Sequence, residues 1–165
     1  MRLGLSSYTY GWAVGVPGHV PGQPIDEHGL LDHCAYHRVK VLQIGDNLPL
    51  HPFAAARLTR LAERAVRDGV QLEVGARGLT VQRVADYADL ARKLGARLIR
   101  FVIDDADYHP DPKTVTAVLV EVAPLLDGLT LGIENHDRFS AASLRRMIEA
   151  AGSDRIGVCL DTANS

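Results

Sequence analysis

Leu129-Thr130-Leu131-Gly132-Ile133-Glu134 and Ile156-Gly157-Val158-Cys159-Leu160-Asp161 are short, almost continuously apolar runs, each closed by an acid. Such runs read as strands buried on both faces, the pattern of a parallel sheet covered by helices. Four more precede them, at Arg2–Leu5, Val39–Ile44, Gln71–Val74 and Arg97–Ile103. The stretches between carry helical periodicity. From Phe53 to Asp68, Leu58, Leu61, Ala62, Ala65 and Val66 make one stripe, and Gly69 stands where a helix C′ residue belongs. Val81, Val84, Ala85, Ala88 and Ala91 repeat it up to Leu94, with Thr80 as N-cap and Gly95 as stop. Asp111-Pro112 is an N-cap followed by proline at the first helical position, and Val115, Val118, Leu119, Val122 and Leu126 run on to Gly128. Ser140 opens the last helix, through Leu144, Met147, Ile148 and Ala151 to Gly152. The first, about Asp26 to Arg38, is the weakest because Gly29 interrupts it.

Strands starting near residues 2, 39, 71, 97, 129 and 156 give one βα unit per roughly 30 residues. Strict alternation leaves two architectures, an open doubly wound sheet or a (β/α)8 barrel. A doubly wound nucleotide binder carries a glycine-rich phosphate turn after its first strand, where Ser6-Ser7-Tyr8-Thr9-Tyr10-Gly11 stands instead. Polar residues gather just past the strand ends: Ser6 and Ser7, Asp46 and Asn47, Arg77, Asp104 and Asp105, Glu134 to His136, Asp161 and Asn164. Barrel active sites are built there, from many strand ends at once. The expected fold is therefore α/β, a partial (β/α)8 TIM barrel. A full barrel takes about 250 residues, whereas the 165 residues here hold six units. Residues 1–165 are expected to be a single, C-terminally incomplete domain lacking strands seven and eight. The Pro/Gly-rich stretch from Val16 to Pro24 is a long βα loop, a usual place for substrate contacts.

Eighteen Lys and Arg against 20 Asp and Glu leave a net charge of −2. That argues against a nucleic-acid partner, which needs a concentrated basic face. No apolar run nears the roughly 20 residues of a membrane span, and the start Met1-Arg2-Leu3-Gly4-Leu5 lacks the apolar stretch of a signal peptide. Cys34 and Cys159 alone make neither a disulfide framework nor a zinc ribbon. A cytoplasmic protein with reduced thiols, and no nucleic-acid or membrane partner, is expected.

A carboxylate closing a buried strand is costly unless a cation or hydrogen bonds compensate it. Glu134 and Asp161 stand at the same ends of neighbouring parallel strands, close enough to share a divalent cation. Hard oxygen ligands suit Mg²⁺, Mn²⁺ or Co²⁺, and zinc ranks below them. In the alternative, each acid caps the following helix or pairs with an arginine.

Gly132-Ile133-Glu134-Asn135-His136 and Gly157-Val158-Cys159-Leu160-Asp161-Thr162-Ala163-Asn164-Ser165 resemble strand ends of the xylose-isomerase-like sugar (phosphate) isomerase/epimerase superfamily of barrels. Val41 to Leu50 and Leu72 to Gly78 resemble it as well. The resemblance implies a divalent metal held by a Glu of strand five, an Asp of strand six, a His of strand seven and a Glu of strand eight. Glu134 and Asp161 match the first two, and the others have no counterpart in these 165 residues. It also implies that Glu134 exchanges the substrate proton, and that Asn164 stands where the family often has a substrate-contacting His. Asn164 can hydrogen-bond a hydroxyl but cannot serve as a base. The implied activity is metal-dependent isomerisation or epimerisation of a sugar, sugar phosphate or polyol through an enediolate. A dehydratase acting on a keto acid or cyclic polyol is the variant on the same barrel. Endonuclease IV-type chemistry, which needs many His ligands and a DNA-binding surface, ranks third.

Other residues carry two readings each. His136 contacts substrate or is a loop histidine bonded to backbone. Asp46 and Asn47 bind substrate at the pocket mouth or form the turn before Pro49. Arg100 faces a substrate anion or pairs with Glu73. Tyr8, Tyr10 and Trp12 form an aromatic wall or pack at the barrel mouth. Asp104 and Asp105 belong to a solvated loop, His33 and His37 to an exposed helical stripe, and Cys159 to strand packing. With half the metal shell missing, a different class stays open: a catalytically incompetent subunit, homo-oligomeric or completed by the absent C-terminal segment.

Overall fold

The computed structural model describes residues 2–136 and 138–164. In chain order it forms β1 (Leu5–Ser6), α1 (Gly11–Val14), α2 (Glu27–His37), β2 (Val41–Ile44), α3 (Ala55–Asp68), β3 (Gln71–Arg77), α4 (Val81–Leu94), β4 (Leu98–Val102), α5 (Pro112–Val122), β5 (Thr130–Glu134), α6 (Ala141–Ala150) and β6 (Ile156–Cys159). Strand order is chain order, the arrangement of a partial TIM barrel. The backbone divides into two compact units, one running to Gly75 and including Leu90–Ala96, the other made of Ala76–Asp89 and everything from Arg97 on.

In the first unit β1, β2 and β3 pair in parallel, with Leu5 opposite Leu42, Ser6 opposite Gln43, and Val41 to Ile44 opposite Gln71 to Val74. Side chains alternate across a strand. Leu42, Ile44, Leu72 and Val74 are buried, as are Leu30 and Leu31 of α2 and Leu58 and Leu61 of α3. Val41, Gln43, Gln71 and Glu73 instead line a cavity of about 350 Å³ with Arg2, Gly4, Leu5 and Ser6. Asp26 caps α2, its Oδ1 accepting from the amides of His28 at 3.1 Å and Gly29 at 2.9 Å. Glu27 is fully buried and held by the Arg57 fork through two bonds of 2.7 Å. These bonds secure the helix across its glycine.

In the second unit β4, β5 and β6 pair in parallel. Leu98 to Phe101 lie opposite Thr130 to Ile133, and Leu131 to Glu134 opposite Ile156 to Cys159. Ile99, Phe101, Leu131 and Ile133 are fully buried, with Val115, Leu119 and Val122 of α5 and nearly buried Leu144 and Met147 of α6. Asp111 and Ser140 cap the two helices through the amides of Thr114 and Ser143, at 2.7 and 3.2 Å.

The structure departs from the periodicity at particular places. β1 is two residues long rather than Arg2–Leu5, because Ser6 caps a single 3-10 turn over Ser7–Tyr10. β3 runs on to Arg77. α5 stops at Val122 and becomes a 3-10 turn over Ala123–Leu126, where Pro124 removes an amide donor. Val66, placed in the apolar stripe of α3, is exposed. β6 is not buried on both faces: Val158 and Leu160 are 51% and 71% exposed. It is last in the strand order, so among the described residues no strand covers its far flank. Among the described residues no helix is long and apolar enough to cross a membrane.

Candidate active site at the strand ends

Arg100 of β4 lies opposite Gly132, two residues before Glu134 on β5. With a period of two, Gly132 and Glu134 share a face, and Gly132 has no side chain to block the diagonal. The Arg100 Nε therefore donates to Glu134 Oε2. Glu134 is 6% exposed and Arg100 7%, and burying two charges together is tolerated only when they are well paired. Glu73 belongs to the first unit, where its Oε2 accepts from Gln43 Nε2 at 3.1 Å. The other oxygen of Glu134, Oε1, lies 3.5 Å from Asn164 Nδ2.

Asn135 fixes the neighbouring acid. Its Oδ1 accepts from the Asp161 amide at 2.6 Å, and its Nδ2 donates to the carbonyls of Asp161 and Asn164 at 2.9 and 3.2 Å. This is why β6 ends at Cys159 rather than at Asp161: beyond Cys159, side-chain bonds replace the ladder. Asp161 is half-buried, and its Oδ1 accepts from the Ala163 amide at 2.8 Å, a local turn of the kind aspartates make. His136 is half-buried, its carbonyl accepting from the Phe139 amide at 3.4 Å. Its ring makes no hydrogen bond among the described residues.

One part of the alternative reading is therefore present, since Glu134 pairs with an arginine, while Asp161 bonds into its own turn. Each acid still keeps one oxygen outside those bonds. Glu134 Oε1 has the long Asn164 contact, and Asp161 Oδ2 has no partner among the described residues. Two hard oxygen donors at adjacent strand ends fit part of a shell for Mg²⁺ or Mn²⁺. Among the described residues no group of three or more His, Cys, Asp or Glu gathers to hold a metal.

At the end of β2 a second polar group forms within its own unit. The buried Ser7 hydroxyl donates to Asn47 Oδ1 at 2.5 Å and accepts from the Gly45 amide at 2.9 Å. The Tyr8 hydroxyl donates to Asp46 Oδ2 at 2.7 Å. A Cβ at Gly45 would lie 2.9 Å from the Tyr8 ring, so glycine is required there. Asn47 Nδ2 is buried and has no hydrogen-bond partner among the described residues. Such a donor costs about 1–3 kcal/mol if left unsatisfied. Tyr10 leaves the expected aromatic wall and stacks on His33 at 4.1 Å, sharing a hydrogen bond with His37 at 2.9 Å. Trp12 is 72% exposed.

One clasp has no signal in the sequence. Arg138 grips Asp104 through both carboxylate oxygens, at 2.7 and 2.5 Å, and also reaches the Pro110 carbonyl. Asp104 is thus no solvated loop residue. Burial pushes its carboxyl up, but Arg138 and His109 outweigh burial and hold it below the usual range. Asp105 pairs with Arg83 at 2.8 Å.

Residues 72–165 match the family model of the xylose isomerase-like TIM barrel. The chain belongs to that family. Along 99% of its length it is 31% identical to 3-oxo-isoapionate decarboxylase of Pectobacterium atrosepticum, of which it spans 59%. Its fold is similar to that of D-psicose 3-epimerase crystallised with D-fructose, with a TM-score of 0.77, 15% identity, and coverage of 98% of this chain and 64% of that one. It is also similar to the IOLI protein with a bound zinc atom, with a TM-score of 0.66, 14% identity, and coverage of 96% and 62%. At those identities the two structures show the fold alone. The chain thus spans about three-fifths of the length of these relatives.

Proposed function

We propose that this chain supplies part of the active site of an enzyme acting on a sugar-derived carbonyl compound through an enediolate, with Glu134 and Asp161 as ligands of a divalent cation. The observation that carries this reading is that Asn135 holds the Asp161 turn beside Glu134 while one oxygen of each acid stays uncommitted. Mn²⁺, Mg²⁺ or Co²⁺ would supply Lewis-acid stabilisation of the negative charge that develops beside a carbonyl. Glu134 would take the proton from the carbon next to that carbonyl with the carboxylate oxygen that the cation does not engage, and the C–H electron pair becomes the enediolate double bond. Returning the proton to the former carbonyl carbon, with the hydroxyl proton passing to the former carbonyl oxygen, isomerises the sugar, and returning it to the opposite face of the original carbon epimerises it. Asn164 Nδ2 stands 3.5 Å from Glu134 Oε1 and can turn to a substrate hydroxyl. His136, half-buried with its ring uncommitted among the described residues, serves the same substrate. Asp46 and Asn47, read within their own unit, bind hydroxyl and carbonyl oxygens, since the Asn47 amide lacks an acceptor.

A second reading is favoured by the 31% identity along almost the whole chain to a decarboxylase. In a 3-oxo acid the bond to the carboxylate breaks, its electron pair stays as an enolate, CO₂ departs and a proton is added at that carbon. The same charge is stabilised, and no base is needed for the first step.

The test is incubation with Mn²⁺ in D₂O, using ketoses and a 3-oxo sugar acid, followed by NMR and CO₂ detection. The first reading expects deuterium at the carbon beside the carbonyl of a ketose, abolished by Glu134→Gln. CO₂ release from the 3-oxo acid with inert ketoses moves the function to the second. No turnover of either class contradicts both and leaves a subunit that needs a partner.

A further inference from the structure

We infer that Asn135 is the positioning residue of the candidate metal site: its side-chain amide, rather than the β5–β6 ladder, sets the spacing between the Glu134 and Asp161 carboxylates. The inference rests on the reading of those two acids as cation ligands. The ladder proper ends with Glu134 opposite Cys159, and the next backbone bond, from the Asn135 amide to the Cys159 carbonyl, is long at 3.4 Å. Beyond it, the Asn135 side chain does what another strand residue would do. It accepts from the amide and donates to the carbonyl of the same residue, Asp161, at 2.6 and 2.9 Å. Its second N–H goes to the Asn164 carbonyl at 3.2 Å, so both donors and the oxygen are engaged. The turn has bonds of its own, from Ala163 to the Asp161 carboxylate and from the Asn164 amide to the Asp161 carbonyl. Those shape the turn without tying it to β5. Glu134 is anchored from the other side by Arg100, and among the described residues Asn135 makes the short bonds between β5 and the turn, beside the long 3.5 Å contact from Asn164 to Glu134. An aspartate there lacks the N–H donors, and a glutamine is one methylene too long.

The experiment compares the 165-residue chain with its Asn135→Ala and Asn135→Asp variants by amide hydrogen exchange without metal and by Mn²⁺ titration calorimetry. In Asn135→Ala the Asp161 amide is expected to exchange faster, whereas Asn135→Asp keeps an acceptor for it, and in both the Leu131 amide, bonded to the Arg155 carbonyl inside the sheet, keeps its protection. Mn²⁺ affinity is expected to fall about 10- to 100-fold, the usual cost of losing a group that orients a metal ligand. Asn135→Asp separates spacing from charge. An added carboxylate strengthens cation binding if charge alone governs it, and weakens binding if the lost donors do. It also retains the acceptor for the Asp161 amide, so it covers the case in which Asn135→Ala does not fold. Mn²⁺ bound equally well by the parent and a folded variant overturns the role of Asn135 and leaves the metal reading standing. No Mn²⁺ binding by the folded parent overturns the metal reading and the role of Asn135 with it.

Discussion

The ends of β2 and β5 present the same two residue types, an acid followed by an asparagine, and use them in opposite ways. After β2, Asp46 accepts from Tyr8, and Asn47 is held by its oxygen alone, with its buried Nδ2 lacking an acceptor among the described residues. After β5, Asn135 uses every donor and acceptor of its amide on the β6 turn, while Glu134 keeps one oxygen loosely held. In the first pair the amide has an unpartnered donor among the described residues and the acid accepts from a tyrosine. In the second the amide is scaffold and one oxygen of the acid has only a long contact. Residue type therefore does not decide role here; what decides it is which hydrogen-bonding groups the fold has already satisfied.

The largest expected effect falls on the acid of the second pair. Arg100→Met leaves Glu134 buried without its cation and should cost about 3–5 kcal/mol in urea unfolding. Adding Glu134→Leu should recover most of that loss, because both charges then disappear together. A double variant as unstable as the single one would break the claim that these groups act as a pair.

The two asparagines come next. Asn135→Ala strands the Asp161 amide and should cost about 1–3 kcal/mol, against about 0.5–1.5 kcal/mol for Asn47→Ala, which loses the bond from Ser7. Substrate binding should rank them differently from stability. If Nδ2 of Asn47 serves a ligand, Asn47→Ala raises KM about tenfold, equivalent to 1.4 kcal/mol, with kcat nearly unchanged. Equal effects of Asn47→Ala on folding and on KM would make its amide structural.

The smallest effect lies outside both pairs. Asp104 is held below the usual carboxylate range, with burial opposing and Arg138 and His109 prevailing. Its stabilisation is complete above the unfolded value of about 4 and is lost as pH falls through the lower folded value. Asp104→Asn should flatten that part of the stability profile below about pH 4. An unchanged slope would show that Asp104 does not contribute.

The strand count, the helix caps at Asp111 and Ser140, and the glycine stop at Gly69 were legible because each depends on short-range pattern. Glu134 was legible as the acid that closes β5, because a strand end is a position that sequence spacing determines. The pairing of Arg100 with Glu134 was not legible, because the diagonal between them opens at Gly132, a matter of register rather than of residue type. Arg138 and Asp104 stand 34 positions apart with no periodicity between them. The exposure of Val158 and Leu160 depends on what flanks the last strand, which an apolar run by itself does not reveal.

The most direct measurement is a Mn²⁺ titration of the chain against its Asp161→Asn variant. Asparagine keeps the oxygen that accepts from Ala163, so the turn survives while the free carboxylate oxygen and its charge are lost. Saturable binding by the parent that disappears in the variant, with both folded, is the expected result. Equal affinity in the two would place any bound cation elsewhere and contradict the pairing of Glu134 with Asp161 as a metal site.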